Sequence, residues 1–238
     1  MKKRKKLWII LLLLLLILLA GLALWQRENL RILIQAGKYT TEDLNTKLAE
    51  NRQTLQTTLE QHPEISARAP TEEETQALKT GELAPEELIK ALVETAEPQV
   101  EGGGAAEPDQ TGEIAQAENP YSAELSELIA RVLALQALYV GKLESLEVEA
   151  KAEYRTKPES ERTKTKLVEW ASGYVKRATE MEKECDAEID GIVREMLALI
   201  RKYGGDTEIP DTVVFCYAEE KRLKKAWYIS RLEEGGLL

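Results

Sequence analysis

An uncharged run of nineteen residues, Leu7 to Trp25, constrains this chain more than any other feature. As a helix rising about 1.5 Å per residue it measures roughly 28 Å, close to the roughly 30 Å hydrocarbon core of a bilayer. Trp8 and Trp25 bracket it at the depths where indole rings settle. Lys2, Lys3, Arg4, Lys5 and Lys6 precede the run, whereas Arg27, Glu28 and Arg31 follow it. The positive-inside rule therefore keeps the N-terminus in the cytoplasm and sends the C-terminal remainder across. Cleavage after Ala23 is the competing expectation, because Gly21-Leu22-Ala23 is a small-residue site. The run is longer than the usual roughly 7–15-residue signal core and ends in bulky Leu24-Trp25, which favours an uncleaved, single-pass signal anchor.

The exported part reads as all-α. Of the 238 residues 31% are charged and only 5% aromatic, with Glu, Lys, Leu and Ala dominant, the composition of long amphipathic helices. Residues 38–120 carry 18 acids against 6 bases, and 121–238 carry 23 against 19. Nucleic-acid binding rests on neutralising phosphates with Lys and Arg, so a chain this acidic is not expected to bind it.

Segments follow from local signals. The expected order is a cytoplasmic basic tail 1–6, a transmembrane anchor 7–25, an acidic helical stalk with a small helical hairpin 26–95, a disordered linker 96–120 and a helical bundle 121–238. In the stalk, Thr41 is positioned to cap a helix to about His62, which Pro63 stops. Leu44, Leu48 and Leu55 fall at heptad spacing, but Asn51 and Thr58 interrupt the seam, so dimer pairing and a solvated stalk are both open. Thr71-Glu72-Glu73-Glu74 has capping-box spacing, Gly81 punctuates, and Pro85 opens the second hairpin helix. Leu78-Lys79-Thr80-Gly81-Glu82-Leu83-Ala84-Pro85-Glu86-Glu87-Leu88 resembles the SHOCT short helical module of bacterial membrane proteins, and that resemblance implies oligomerisation. From Ala96 to Pro120 the chain has Gly102-Gly103-Gly104 and three prolines but scarcely a large apolar group, so ordering it has little burial to offset the entropy.

The bundle carries the clearest periodicity. Leu125, Leu128, Val132, Leu135 and Tyr139 form one stripe of a helix over about 122–155, with Ile129, Gln136, Val140 and Leu143 alongside. Thr156-Lys157-Pro158-Glu159 has capping-box spacing into the next helix. One heptad register then runs through Val168, Ala171, Val175, Ala178, Glu182, Cys185, Ile189, Ile192, Met196, Leu199 and Tyr203, until Gly204-Gly205 ends it. A third helix over about 208–233 is expected to fold back along the distal half of this hairpin. The result is an elongated antiparallel three-helix, coiled-coil-like bundle. Cys185 lies about 18 residues before the last turn and Cys216 about 8 after it, an offset of roughly 15 Å. Bridged Cα atoms lie within about 7 Å, so two buried thiols are expected, an intermolecular bridge being the alternative.

Catalytic groups are scarce. His62 is the only histidine, and no HExxH, CxxC, Walker loop or GxGxxG occurs. Glu180, Glu182, Glu184, Asp186, Glu188 and Asp190 alternate along a helix, pointing roughly 200° apart, so they spread around the rod instead of converging on a cation. No catalytic, cofactor-binding or metal-binding residue is expected. A cation–aromatic stretch remains: Lys221, Arg222, Lys224, Lys225 and Arg231 interleave with Trp227 and Tyr228. It suits anionic wall polymer or lipid headgroups. The plainer expectation is that Trp227 completes the core while the cations balance neighbouring acids. Trp170 and Tyr174 are likewise expected in the bundle core. These features point to a non-enzymatic, membrane-anchored extracytoplasmic scaffold or adaptor of a bacterial cell envelope, engaging a protein partner or further copies of itself. The alternative is a binding module for anionic cell-wall polymer or membrane surface.

Overall fold

The computed structural model describes residues 27–62, 65–94, 120–161 and 163–234, and within them the chain is all-α, without a strand. The basic tail 1–6, the apolar run 7–25 and the linker residues 96–119 lie outside the described residues, as do the expectations attached to them. No described helix is long and apolar enough to cross a membrane. The helices are α1 (Arg27–Lys38), α2 (Thr41–Glu60), α3 (Glu72–Thr80), α4 (Pro85–Glu94), α5 (Pro120–Thr156), α6 (Lys164–Tyr203) and α7 (Glu208–Glu234), with a 3-10 turn at Glu159–Glu161 before α6.

Local chemistry sets most of the boundaries. Thr40 caps α2 in place of the expected Thr41: its N–H donates to Asp43 Oδ2 at 3.0 Å, and the Asp43 N–H returns a bond to Thr40 Oγ1 at 3.2 Å. The Thr40 backbone bond holds the Asp43 carboxyl below its ordinary range. Thr71 and Glu74 form the expected capping box of α3, and Gly81 ends that helix at φ +78°, a conformation glycine adopts without penalty. The cap of α6 is Thr163, whose side chain accepts from the Lys166 N–H, and not the Thr156–Glu159 box. The 3-10 turn carries the chain past Pro158, and the cap falls where regular helix resumes. Gly204, at φ +75°, closes α6 by donating to Ile200 O at 2.8 Å.

The chain divides into two units, Leu55–Val214 forming one, and the residues to Thr54 with those from Phe215 forming the other. In the Leu55–Val214 unit, α5 is central. Leu125, Leu128, Ile129, Val132, Leu133, Leu135 and Tyr139 are all buried, spread around more of the helix than one partner can cover. Helix α6 packs on one side of α5, and the α3–α4 hairpin packs against it as well. Two bonds fasten the segment leading into that hairpin. Ser66 N–H donates to the buried Ser126 Oγ at 2.8 Å, and Arg68 N–H to Leu92 O at 3.0 Å.

The heptad register of α6 holds only in part. Cys185, Ile189, Ile192, Met196 and Leu199 are buried, but Val175 is 63% and Tyr203 41% exposed. Near Val175, α6 meets α5 through polar bridges: Arg177 grips Glu149 with two bonds of 2.7 and 2.8 Å.

In the other unit α2 and α7 run antiparallel. Asn51 Nδ2 donates to Cys216 O at 2.8 Å, and Ser230 Oγ donates to Tyr39 O at 3.4 Å, so pairing partners fall along one helix as they rise along the other. Ile32, Ala36, Leu44, Leu48, Leu223 and Ala226 form the core, with Tyr39, Trp227 and Ile229 against it. The expected third bundle helix is therefore divided: Glu208–Val214 belongs to the Leu55–Val214 unit, and Phe215–Glu234 packs with α1 and α2. An amphipathic stripe specifies that a face is buried but not by which partner.

Two outcomes test this packing. Met196→Ala should cost about 2–5 kcal/mol in denaturant unfolding, because Met196 is fully buried, whereas Val175→Ala on the same heptad register should change stability by less than about 0.5 kcal/mol. The Arg68 guanidinium, bonded to Glu74 at 2.8 and 2.6 Å, pulls the Glu74 carboxyl from its ordinary 4.5 to about 2. A depressed folded-state pKa stabilises above the unfolded value, so this contribution, about 1–2 kcal/mol for a partly solvated pair, is lost as pH falls from about 5 to about 2. Arg68→Ala should remove that pH dependence from acid-unfolding curves.

Candidate interaction surface

The cation–aromatic stretch lies on the half of α7 that packs with α1 and α2, and the structure separates its members. Trp227 packs on the core cluster, where its buried indole N–H meets no hydrogen-bond acceptor among the described residues. Arg222 pairs with Glu219 one turn back, and its Nε is buried. Lys221, Lys224, Lys225 and Tyr228 are half-buried, and Arg231 is exposed. Rings organise these cations. Arg231 sits 4.7 Å and Lys224 5.8 Å from the Trp227 ring, Lys221 sits 5.2 Å from the Tyr217 ring, and Tyr228 meets Trp227 edge-on at 5.0 Å. Trp227 thus completes the core and also presents π-density to two cations, which joins the two sequence expectations in one side chain.

Neighbouring elements extend the surface in a way the sequence stretch does not announce. Lys38 and Lys47 lie 5.2 and 4.7 Å from the Tyr39 ring, and Tyr39 O accepts the Ser230 hydroxyl. Glu220, the second acid before the cations, accepts Arg52 Nη2 at 2.7 Å. Asn51 was the overlooked residue. Its apparent defect in the Leu44–Leu48–Leu55 seam is a buried side chain that bonds α7, and a polar residue at a core heptad position was the available signal. Cys216 Sγ lies 3.7 Å from Asn51 O, and burial pushes its thiol pKa up, which keeps it protonated. Cys185 and Cys216 are both buried thiols outside any disulfide, each within its own unit.

Among the described residues the other sequence-derived candidates sit in separate contacts. His62 Nε2 stands 3.6 Å from Glu208, half-buried and far in sequence from either cysteine. In the 180–190 acidic run, Glu188 accepts the Tyr139 hydroxyl at 3.0 Å and Glu180 faces Lys176 at 4.0 Å. Among the described residues no group of three or more His, Cys, Asp or Glu is placed to hold a metal ion. The Trp170 ring lies 5.5 Å from Tyr154 and 5.1 Å from Tyr174, a half-buried cluster on the α5–α6 hairpin. There Tyr174 donates to Glu153, which raises its own pKa to about 12 and lowers that of Glu153. An open groove of about 230 Å³ lies over Leu138, Leu146 and Met181, rimmed by Lys79 and Arg177. Glu144 and Glu149 already engage those two cations. No family model, curated protein or solved structure matches the chain.

Asn51 offers a direct test of how this surface is held. Asn51→Ala should destabilise the α1–α2–α7 unit by about 1–2 kcal/mol, the loss of one buried hydrogen bond plus a small cavity. Asn51→Leu should recover that stability, read by urea unfolding, at the expense of a unique α2–α7 register.

Proposed function

We infer that the chain is a non-enzymatic, single-pass scaffold or adaptor of a bacterial cell envelope, held by Leu7–Trp25 with its N-terminus in the cytoplasm and its helical domains outside. The observation that carries this reading is the nineteen-residue apolar run with five cations on one flank. The helical architecture supports it, since long helices offer extended lateral surface for protein contact. On the α5–α6 hairpin, Val148 and Val175 are 67% and 63% exposed, apolar side chains on the side of a rod. In this reading the long helices α5 and α6 engage a protein partner or a further copy. A second reading, binding of anionic wall polymer or membrane surface, is favoured by the placement of Lys224 and Arg231 over Trp227.

Topology and partnership are tested separately. In cells the full chain should resist carbonate extraction, and external protease should remove residues 121–238. Release by carbonate overturns the anchor, and a protected C-terminal portion overturns the orientation. Photo-crosslinkers at positions 148 and 175 should yield discrete adducts with one partner or a second copy; only uncrosslinked chain overturns the scaffold role.

A further inference from the structure

The charge of this protein is segregated by unit. Residues 27–54 and 215–234 together carry ten bases against eight acids, whereas 55–214 carry 17 bases against 34 acids. The positively balanced unit is also the one joined directly to the apolar run. Ile32, seven residues after Trp25, is in the same core as Leu223, Ala226 and Trp227. Seven residues span at most about 25 Å even when fully extended, and about 10 Å as helix. Cations some 190 residues downstream in sequence are thereby tethered near whatever surface the run enters.

Glu219 and Glu220, the acids preceding the cationic stretch, engage Arg222 and Arg52. Lys221, Lys224, Lys225 and Arg231 follow them without an intervening acid. The Ser230–Tyr39 bond brings Lys38 and Lys47 to the same end of α7. Helix α1 adds Ile34, 59% exposed. Basic side chains interleaved with aromatic rings and an exposed apolar residue are the chemistry of an interfacial membrane contact, and their attraction acts over a Debye length of about 8–10 Å.

We propose that the α1–α2–α7 unit docks onto the anionic lipid headgroups of the leaflet from which the apolar run emerges, with Lys221, Lys224, Lys225 and Arg231 as its principal contacts. The proposal rests on the anchor reading and names the ligand of the cation–aromatic surface. The favoured occupant is lipid and not wall polymer because the tether places this surface at the bilayer whatever else is present. Each juxtamembrane cation strengthens binding to an anionic surface roughly fivefold, so three cations acting with nearby acids should still give at least about a tenfold effect.

The test uses the full chain in nanodiscs of phosphatidylcholine alone or mixed with phosphatidylglycerol. Amine acylation at Lys221, Lys224 and Lys225 is followed by mass spectrometry, with Lys151 and Lys183 as reference sites. Labelling of the three lysines should slow at least threefold in the anionic discs, return to the phosphatidylcholine rate in 0.5 M salt, and leave the reference sites unchanged. K221E/K224E/K225E, checked for native helicity, should lose the protection of Lys38 and Lys47 as well. Equal labelling in both discs overturns the lipid contact and leaves the anchor standing. Slowing that requires added poly(glycerol phosphate) assigns the surface to wall polymer and also overturns it. A chain that co-elutes with neither disc overturns the anchor reading and this proposal together.

Discussion

Helix α5 has more apolar circumference than a single antiparallel partner can bury, and the Leu55–Val214 unit is arranged around that excess. Each buried Leu, Ile or Val contributes roughly 1.5–3 kcal/mol only when its surface leaves water, so a second covering layer is required. The α3–α4 hairpin supplies it, clamped by the Ser66–Ser126 and Arg68–Leu92 bonds. Beyond Leu146 the excess disappears: side chains at 147–153 are half-buried or exposed, and Arg177 and Tyr174 reach across to carboxylates of α5. The α5–α6 hairpin thus changes from a hydrophobic seam to a polar one as its second covering layer ends.

The α1–α2–α7 unit depends on a different constraint. Segments almost the whole chain apart meet through a small apolar core and one buried amide, and Asn51 specifies their alignment more narrowly than Leu at the same position would. A buried polar group of this kind favours one register over the many that an apolar stripe tolerates. The surface cations of α7 owe their arrangement to the same alignment, because Trp227 and Tyr39 must be seated in the core before Lys224, Arg231, Lys38 and Lys47 can gather on their rings.

Among the displaced pKa values, the Arg68 bond lowers Glu74, burial ahead of the Glu188 bond raises Tyr139, and the Glu153 bond raises Tyr174. Such shifts belong to structural ion pairs as readily as to catalysis. Charge is instead divided between the units, with bases slightly in excess over 27–54 and 215–234 and acids in large excess over 55–214.

The helices themselves were legible in the sequence. The α3 capping box, Gly81, Gly204 and the periodic stripes of α5 and α6 act through bonds spanning four residues or fewer, so each boundary is written beside itself. Thr40 replaced Thr41 because neighbouring residues compete for one cap, and Thr163 replaced Thr156 because the 3-10 turn past Pro158 delays regular helix. Partner choice was not legible. The stripe on 208–234 announced a buried face, yet that face is shared between two cores, and the wide face of α5 announced a third layer without naming the α3–α4 hairpin. Local hydrogen bonding makes helices nearly independent of the rest of the chain, whereas pairing compares apolar areas, polar matches and loop lengths across distant segments. Those comparisons are settled only when the whole chain is folded.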